Sequence, residues 1–550
     1  MVPSRIRLAT FWVGVEWCSP GYIIFPYRVG GGSSKVGYAR PGGFFSGNTH
    51  SFWRSGYVMT FLFAERVPKP AQFALCVLGG FLSGASLALD VALKWKAALI
   101  ITMGFAAFLL MVRNTKRVLL FTLVFTSPFY IGKDFIVRTG HIGELNAVGL
   151  YLTDGLVVAL LMLHLGRLAI DRQAKIRFFP STTVPALAWL IASAFSLVNA
   201  REMDVAAIQM IAMGKLILLY FVVASNVEDE KDVKWLISGL LLGLLCQGLV
   251  GLYQGITGHP LGLSFLGESS SLVRQKLGPR PVHRAQGTIG FPNSYAIYLS
   301  ATIPFALALL FSRARRLYKT MTGIVLCAGA LGLVFSLSRG GWISSVMVSL
   351  VVLVLGVRRR RLEVRTTLLV AGATLLILLA LTLVGSDLIL SRLTSSDYGS
   401  ARSRIVLARG ALAIVQDYPL SGVGLNNYAL FMPHYDWASF QAWNEPAIVH
   451  NLFLLIAAET GFIGLVAFLW FLASVLIQAW RLISRAPNDT LWMAGVGIFC
   501  AYISLSVHSM VDYALIGDIR LFTQFWLLAG MAAGLTLNSG VCLCRRSHMS

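Results

Sequence analysis

The chain has 550 residues, 56% of them hydrophobic and only 13% charged, with a mean hydropathy of +0.72. Soluble domains carry a charged fraction of about 25%, so a soluble globular enzyme is excluded and the bilayer is the solvent to argue from. The 46 Lys and Arg against 24 Asp and Glu, a net charge of +22, would suggest nucleic acid in a soluble protein; in a membrane protein they belong to the loops that orient helices, and no nucleic-acid partner is expected.

Residues 1–70 are rich in Gly, Ser, Arg and aromatics, as in VGGGSSKVGYARPGGFFSGN. They read as a disordered cytoplasmic segment without a cleavable signal peptide, because no clean apolar core is followed by small residues; Met59 would also serve to begin the chain. The seven cysteines form no CxxC and lie mostly in apolar runs or at the termini. They read as small hydrophobes, with no disulfide framework and no metal site.

Apolar runs long enough to span or nearly span ~30 Å of hydrocarbon centre on 72–93, 97–112, 118–132, 148–166, 180–198, 205–224, 235–256, 290–312, 320–337, 341–357, 366–385, 461–480, 490–509 and 520–537. The fold class expected is therefore all-α, a polytopic membrane protein with about 14 transmembrane helices. Basic clusters at Arg113–Arg117, Arg167–Arg177, Arg313–Lys319, Arg358–Arg365, Arg481–Arg485 and Arg545–Arg546 all fall on one side if both ends are cytoplasmic. The acidic loop 226–234 falls on that side too, where acidic residues weigh little. Residues 71–257 form the N-terminal helices, 258–540 a second transmembrane region, and 541–550 a cytoplasmic tail. Two long loops fall outside: 257–289, and 386–449, a large periplasmic loop before the twelfth span with a short helix over SRIVLARGALAIVQDY.

The outer loops contain arginines that orientation does not explain: Arg274, Lys276, Arg280 and Arg284 in the first, Arg392, Arg402, Arg404 and Arg409 in the second. The turn SLSRGGWIS places Arg339 at the outer boundary, where it either snorkels to the interface or presents its planar fork to an anion. Outside the cell the anion at that depth would be a lipid-linked phosphate or pyrophosphate. In DYPLSGVGLNNYALF, Pro419 and small residues bend the chain, and Asn426, Asn427 and Tyr428 are side chains of the kind that contact sugars. After Arg284, Asn293 or Ser294 is positioned to cap the next helix.

The stretch VHNLFLLIAAETGFIG opens on His450-Asn451. Histidine titrates near neutrality and can take a proton from a hydroxyl, or it is a satisfied interfacial side chain. One straight helix from His450 to Trp480 would be about 45 Å long, too long for one span. A short interfacial helix over 450–460 is therefore expected, hinged by Gly461 and Gly464 into a span. Glu459 would lie near the outer boundary, either paired with an arginine or facing water, because a lone charge at mid-membrane is expensive.

Together these residues resemble the O-antigen ligase and polymerase superfamily of polytopic bacterial glycosyltransferases. The family motif is His, then Asn, Ser or Gln, nine residues, Gly, two residues, then Gly, Thr or Tyr. His450-Asn451, Gly461 and Gly464 match it in full, and the SRGGW turn and the long outer loop resemble the family's pattern; the likeness covers roughly 280–480. It implies a bacterial inner-membrane enzyme with its active site on the periplasmic face and a metal-independent transfer without cofactors. The donor would be an undecaprenyl-pyrophosphate-linked glycan, and the acceptor lipid A–core or a growing polysaccharide. Arg339, one or both of Arg402 and Arg404, and Arg284 would hold the pyrophosphate. His450 would be catalytic, supported by Asn451, Glu459, Gly461, Gly464 and Tyr428. Within the superfamily a ligase, a repeat-unit polymerase of O-antigen or exopolysaccharide, and a protein O-oligosaccharyltransferase all remain open. A flippase or transporter would instead bury paired charges at mid-membrane in broken helices.

Overall fold

The computed structural model describes residues 114–141, 143–171, 177–277, 280–359, 400–435 and 448–538. The expected N-terminal segment, the runs at 72–93, 97–112 and 366–385, and the tail lie outside these residues, as do the side chains of Lys276, Arg280 and Arg402.

The described chain is mostly helical. Helix α1 (Thr115–Thr126) leads into a hairpin of β1 (Gly132–Val137) and β2 (Ala147–Tyr151), followed by α2 (Leu152–Ile170), α3 (Pro180–Ser196), α4 (Met203–Asn226) and α5 (Glu230–Thr257). A second hairpin, β3 (Arg274–Leu277) and β4 (Arg280–His283), precedes α6 (Pro292–Leu310), α7 (Arg316–Phe335) and α8 (Arg339–Arg358). Then come α9 (Ser400–Asp417), α10 (Tyr428–Tyr435), α11 (Leu452–Arg485), α12 (Asp489–Ser509), the single turn α13 (Ala514–Gly517) and α14 (Ile519–Asn538). Both hairpins are antiparallel and were not foreseen, because four to six residues between apolar runs carry too little period to register.

Among the described residues, nine helices (α2 to α8, α11 and α12) are long and apolar enough to cross a membrane, so the protein is a multi-pass membrane protein. Each coincides with an expected run. The run at 118–132 forms only the 12-residue α1, about 18 Å long and short of a span. Helix α6 is the central one, with 89% of its apolar window buried inside the bundle. Beside it a cluster of rings from α3, α11 and α14 fills the space between helices: Trp189 lies 4.8 Å from Phe468, and Phe471 lies 4.7 Å from Trp526, between ring centroids. Outward positions such as Ile191, Val346, Val466 and Trp470 are exposed hydrophobics, as a lipid-facing surface requires.

The two ends of the bundle differ in chemistry. At one end Asp232, fully buried, accepts from Lys116 at 2.8 Å and from Arg117 at 2.9 Å, and Glu228 pairs with Lys116, Arg167 and Arg177. The acidic loop that ran against the charge asymmetry is thus a set of counter-ions to the basic loops. At the other end are the hairpins, the Arg339 turn, the 417–435 segment and the start of α11. This second end carries the site.

Candidate functional site

Asn451 is the N-cap of α11, its side-chain oxygen accepting from the Leu454 amide at 3.0 Å while its amide donates to the Met510 carbonyl at 3.0 Å. The cap holds His450 just outside the first turn and fastens it to the end of α12. There His450 is mostly buried, its ring centroid 5.6 Å from that of Tyr513 and its Nδ1 without a hydrogen-bond partner among the described residues. Burial holds its pKa below the ordinary imidazole value; the Asp512 carboxylate opposes that shift and the Arg404 guanidinium adds to it. His450 is therefore neutral at pH 7, the form that accepts a proton.

The expected bend is present: Gly461 is the one non-helical residue within Leu452–Arg485, at φ 64° and ψ −172°. That region is open essentially to glycine alone. The bend leaves backbone groups without helical partners, and the 419–424 loop supplies them. Phe462 donates to the Pro419 carbonyl at 2.8 Å, Val423 to Ala458 at 2.9 Å and Gly424 to Glu459 at 2.9 Å. Contact is so close that a Cβ on Gly461 would lie 2.1 Å from the Leu420 oxygen, and one on Gly422 2.3 Å from the Glu459 oxygen. Gly464 is not part of the bend. It is helical, and its own Cβ would fall 2.3 Å from that of Thr460.

Glu459 departs from expectation. It neither pairs with an arginine nor faces water: it is 1% exposed and accepts the backbone amide of Tyr428 at 3.1 Å. Its carboxyl is hydrogen-bonded to that of Glu144, whose pKa burial pushes up to about 7. Glu459 thus fastens the loop at 424–428 to the hairpin region. Asn426 and Asn427 are also structural. Asn426 Oδ1 accepts from the Glu144 amide at 3.0 Å, its Nδ2 donates to the Leu145 and Val205 carbonyls, and Asn427 bonds the backbone of Glu202 at both side-chain atoms. Tyr428 is buried, its hydroxyl on the Leu407 carbonyl. None of the three is placed as a sugar-contacting side chain. Nor do Asn293 and Ser294 cap α6, whose N-cap is Phe291 and whose first residue is Pro292.

Beside His450 lies a cavity of about 460 Å³ walled by α13, the start of α6 and the hairpins. Arg284 reaches it from β4, 8% exposed, donating through Nε to the Ser336 carbonyl at 2.8 Å and through a terminal nitrogen to Asn293 at 2.9 Å. Asn293 in turn donates to Asp512 at 2.8 Å. Asp512 thus joins Arg284 to the His450 side of the cavity. On the opposite wall Arg520 is held by both Asp518 oxygens and donates to the Thr288 and Ile289 carbonyls.

Of the arginines read from the sequence, Arg284 lines the cavity and Arg404 lies within electrostatic reach of His450. Arg339 stands outside the cavity lining. It is the first residue of α8, after the N-cap Ser338, in a turn packed against His508 so closely that a Cβ on Gly340 would lie 3.0 Å from His508 Nε2. Arg402 cannot be compared with Arg404, since its side chain lies outside the described residues. Arg274 is turned to His283 at 3.2 Å. Asp512, Tyr513, Glu144 and Arg520 were missed by sequence reading. The signal that pointed toward the first two is MVDYALIGDIR, polar residues interrupting two apolar runs at the same end as His450.

Among the described residues, no group of three or more His, Cys, Asp or Glu side chains could hold a metal ion. No curated protein matches the chain. Residues 322–469, which contain the Arg339 turn, α9, the 419–424 loop, His450 and the bend at Gly461, match the family model described as O-antigen ligase, which supports the O-antigen ligase superfamily for this part of the chain.

Proposed function

We propose that the protein is a glycosyltransferase of the bacterial inner membrane that moves a glycan from an undecaprenyl-pyrophosphate donor to an acceptor hydroxyl at the periplasmic face, as an O-antigen ligase does. The observation that carries this reading is the mostly buried His450, whose Nδ1 has no hydrogen-bond partner among the described residues, within electrostatic reach of both the Arg404 guanidinium and the Asp512 carboxylate that ends the Arg284–Asn293–Asp512 chain. His450 takes the acceptor's hydroxyl proton as the oxygen forms its bond to the anomeric carbon. The bond from that carbon to the pyrophosphate oxygen breaks, and undecaprenyl pyrophosphate leaves with the electron pair. Arg404 and Arg284 supply the positive field for that charge, a role a divalent cation would otherwise fill. The Asp512 carboxylate stabilises the imidazolium that forms. The arrangement of ends also supports the reading: lysines and arginines concentrate at the end away from His450, which the positive-inside rule assigns to the cytoplasm.

The test is transfer by purified full-length protein from an undecaprenyl-pyrophosphate-linked glycan, offered lipid A–core and a second lipid-linked glycan as alternative acceptors. Product on lipid A–core supports ligation. Chain extension alone would make the protein a polymerase, and transfer undiminished in His450→Ala would refute the role of His450.

A further inference from the structure

The cavity extends beyond the groups that the transfer step uses. Its lining also includes Tyr130, Tyr151 and Glu144, with Tyr513 against the His450 ring. Tyr130 and Tyr151 are 5.0 Å apart between ring centroids and are held in place by Asp134, which accepts from both hydroxyls at 2.8 Å or less. Glu144 is 7% exposed, bonded to Glu459 and fixed through its own amide to Asn426, yet its Oε2 has no hydrogen-bond partner among the described residues. A buried polar atom left unpaired in a preformed cavity is costly unless something else fills it.

Resting on the reading of the protein as a glycosyltransferase, we propose that Glu144 and the aromatic wall of Tyr130, Tyr151 and Tyr513 form a saccharide subsite that holds the acceptor sugar beside His450. Aromatic faces accept the apolar C–H face of a pyranose, and a carboxyl oxygen accepts its hydroxyl; this pairing of apolar walls with a few placed polar groups is the usual build of a small-ligand site. The volume of about 460 Å³ lies within the usual range of such sites, roughly 300–1,000 Å³. The charges say which substrate lies here. Beside Glu144 the Arg520 guanidinium is neutralised by Asp518, whereas the Arg404 guanidinium acts on His450. The sugar that meets the histidine from the Glu144 side is thus the one whose hydroxyl reacts. Glu144 is a binding residue in this arrangement and takes no part in proton transfer to His450.

The experiment is binding of delipidated core oligosaccharide to the purified full-length protein by calorimetry, in parallel with transfer kinetics. Glu144→Leu, which keeps bulk but removes the acceptor oxygen, should weaken oligosaccharide binding roughly tenfold, the value of about one hydrogen bond. Glu144→Gln, which retains a carbonyl oxygen and can still donate to Glu459, should bind within about threefold of the unmodified protein. Tyr130→Leu should weaken binding by a similar factor to Glu144→Leu, and covers the case in which Glu144→Leu does not fold. In transfer, Glu144→Leu should raise KM for the acceptor and leave KM for the donor unchanged. No binding of the oligosaccharide by the unmodified protein, or binding by Glu144→Leu and Tyr130→Leu as tight as that of the unmodified protein, would overturn the subsite. A rise in donor KM alone would assign the pocket to the donor's glycan and overturn the acceptor assignment. If binding follows the expected order but no glycan is transferred, the subsite stands and the transferase reading falls.

Discussion

Replacing Gly461 by alanine should detach the 419–424 loop from α11. The native backbone there lies at φ 64° and ψ −172°, a region that costs a residue with a Cβ about 1–3 kcal/mol. The new methyl would also sit 2.1 Å from the Leu420 carbonyl oxygen and 2.6 Å from the Ser421 amide nitrogen. These are backbone atoms, so no side-chain rotation relieves the clash. The loop must withdraw, and with it go the three hydrogen bonds Phe462–Pro419, Val423–Ala458 and Gly424–Glu459, each contributing about 1 kcal/mol net. The whole penalty is about 4–6 kcal/mol, the scale of a small domain's entire stability. The alternative, straightening α11, would displace His450, since the cap at Asn451 is tied to Met510. Hydrogen exchange of the Val423 and Gly424 amides in detergent reads the first event, and transfer activity reads the second. Expected are rapid exchange at both amides and loss of transfer, with the protein still inserted in the membrane. Native protection at both amides together with normal transfer would refute the account of the bend.

Transfer should depend on pH with one acidic limb. Burial lowers the His450 pKa, so the neutral base persists below the ordinary imidazole value; activity should be flat through pH 7 and fall only on further acidification, as His450 protonates. Because the Arg404 charge contributes to that lowering, Arg404→Gln should move the limb of its residual activity to higher pH; an unmoved limb would place Arg404 away from the histidine. His450→Ala should lose transfer with donor binding retained, measured by retention of a labelled lipid-linked glycan. Asn451→Ala removes the α11 cap and should destabilise the protein by about 1 kcal/mol, seen as a lowered melting temperature in detergent, with transfer reduced through the mispositioned His450. At the opposite end, Asp232→Ala leaves Lys116 with Glu228 and Arg117 with Asp229 as their remaining carboxylates and should lower the melting temperature in detergent, with no effect on KM in whatever protein folds. Transfer should survive EDTA; a strict requirement for a divalent cation would refute the arginine-based stabilisation of the leaving group.

The sequence by itself determined the solvent and most helices, and it singled out His450 as a candidate base. Apolar runs set by the thickness of hydrocarbon are local, one-dimensional signals, and the nine spanning helices fall on them. The bend at Gly461 was legible for the same reason: a length argument required it. Which groups surround His450 was not legible, because partners across the bundle come from distant parts of the chain. Asn426 meets the Glu144 amide across 282 residues and Asn293 meets Asp512 across 219. Glu459 shows the difference most clearly. Its position beside a bend marked it as a boundary charge, and only tertiary packing turned it into a carboxyl buried against Glu144 and the Tyr428 amide. Hydropathy tells how costly it is to bury a charge, whereas the identity of the group that offsets the cost is decided by which helices are neighbours.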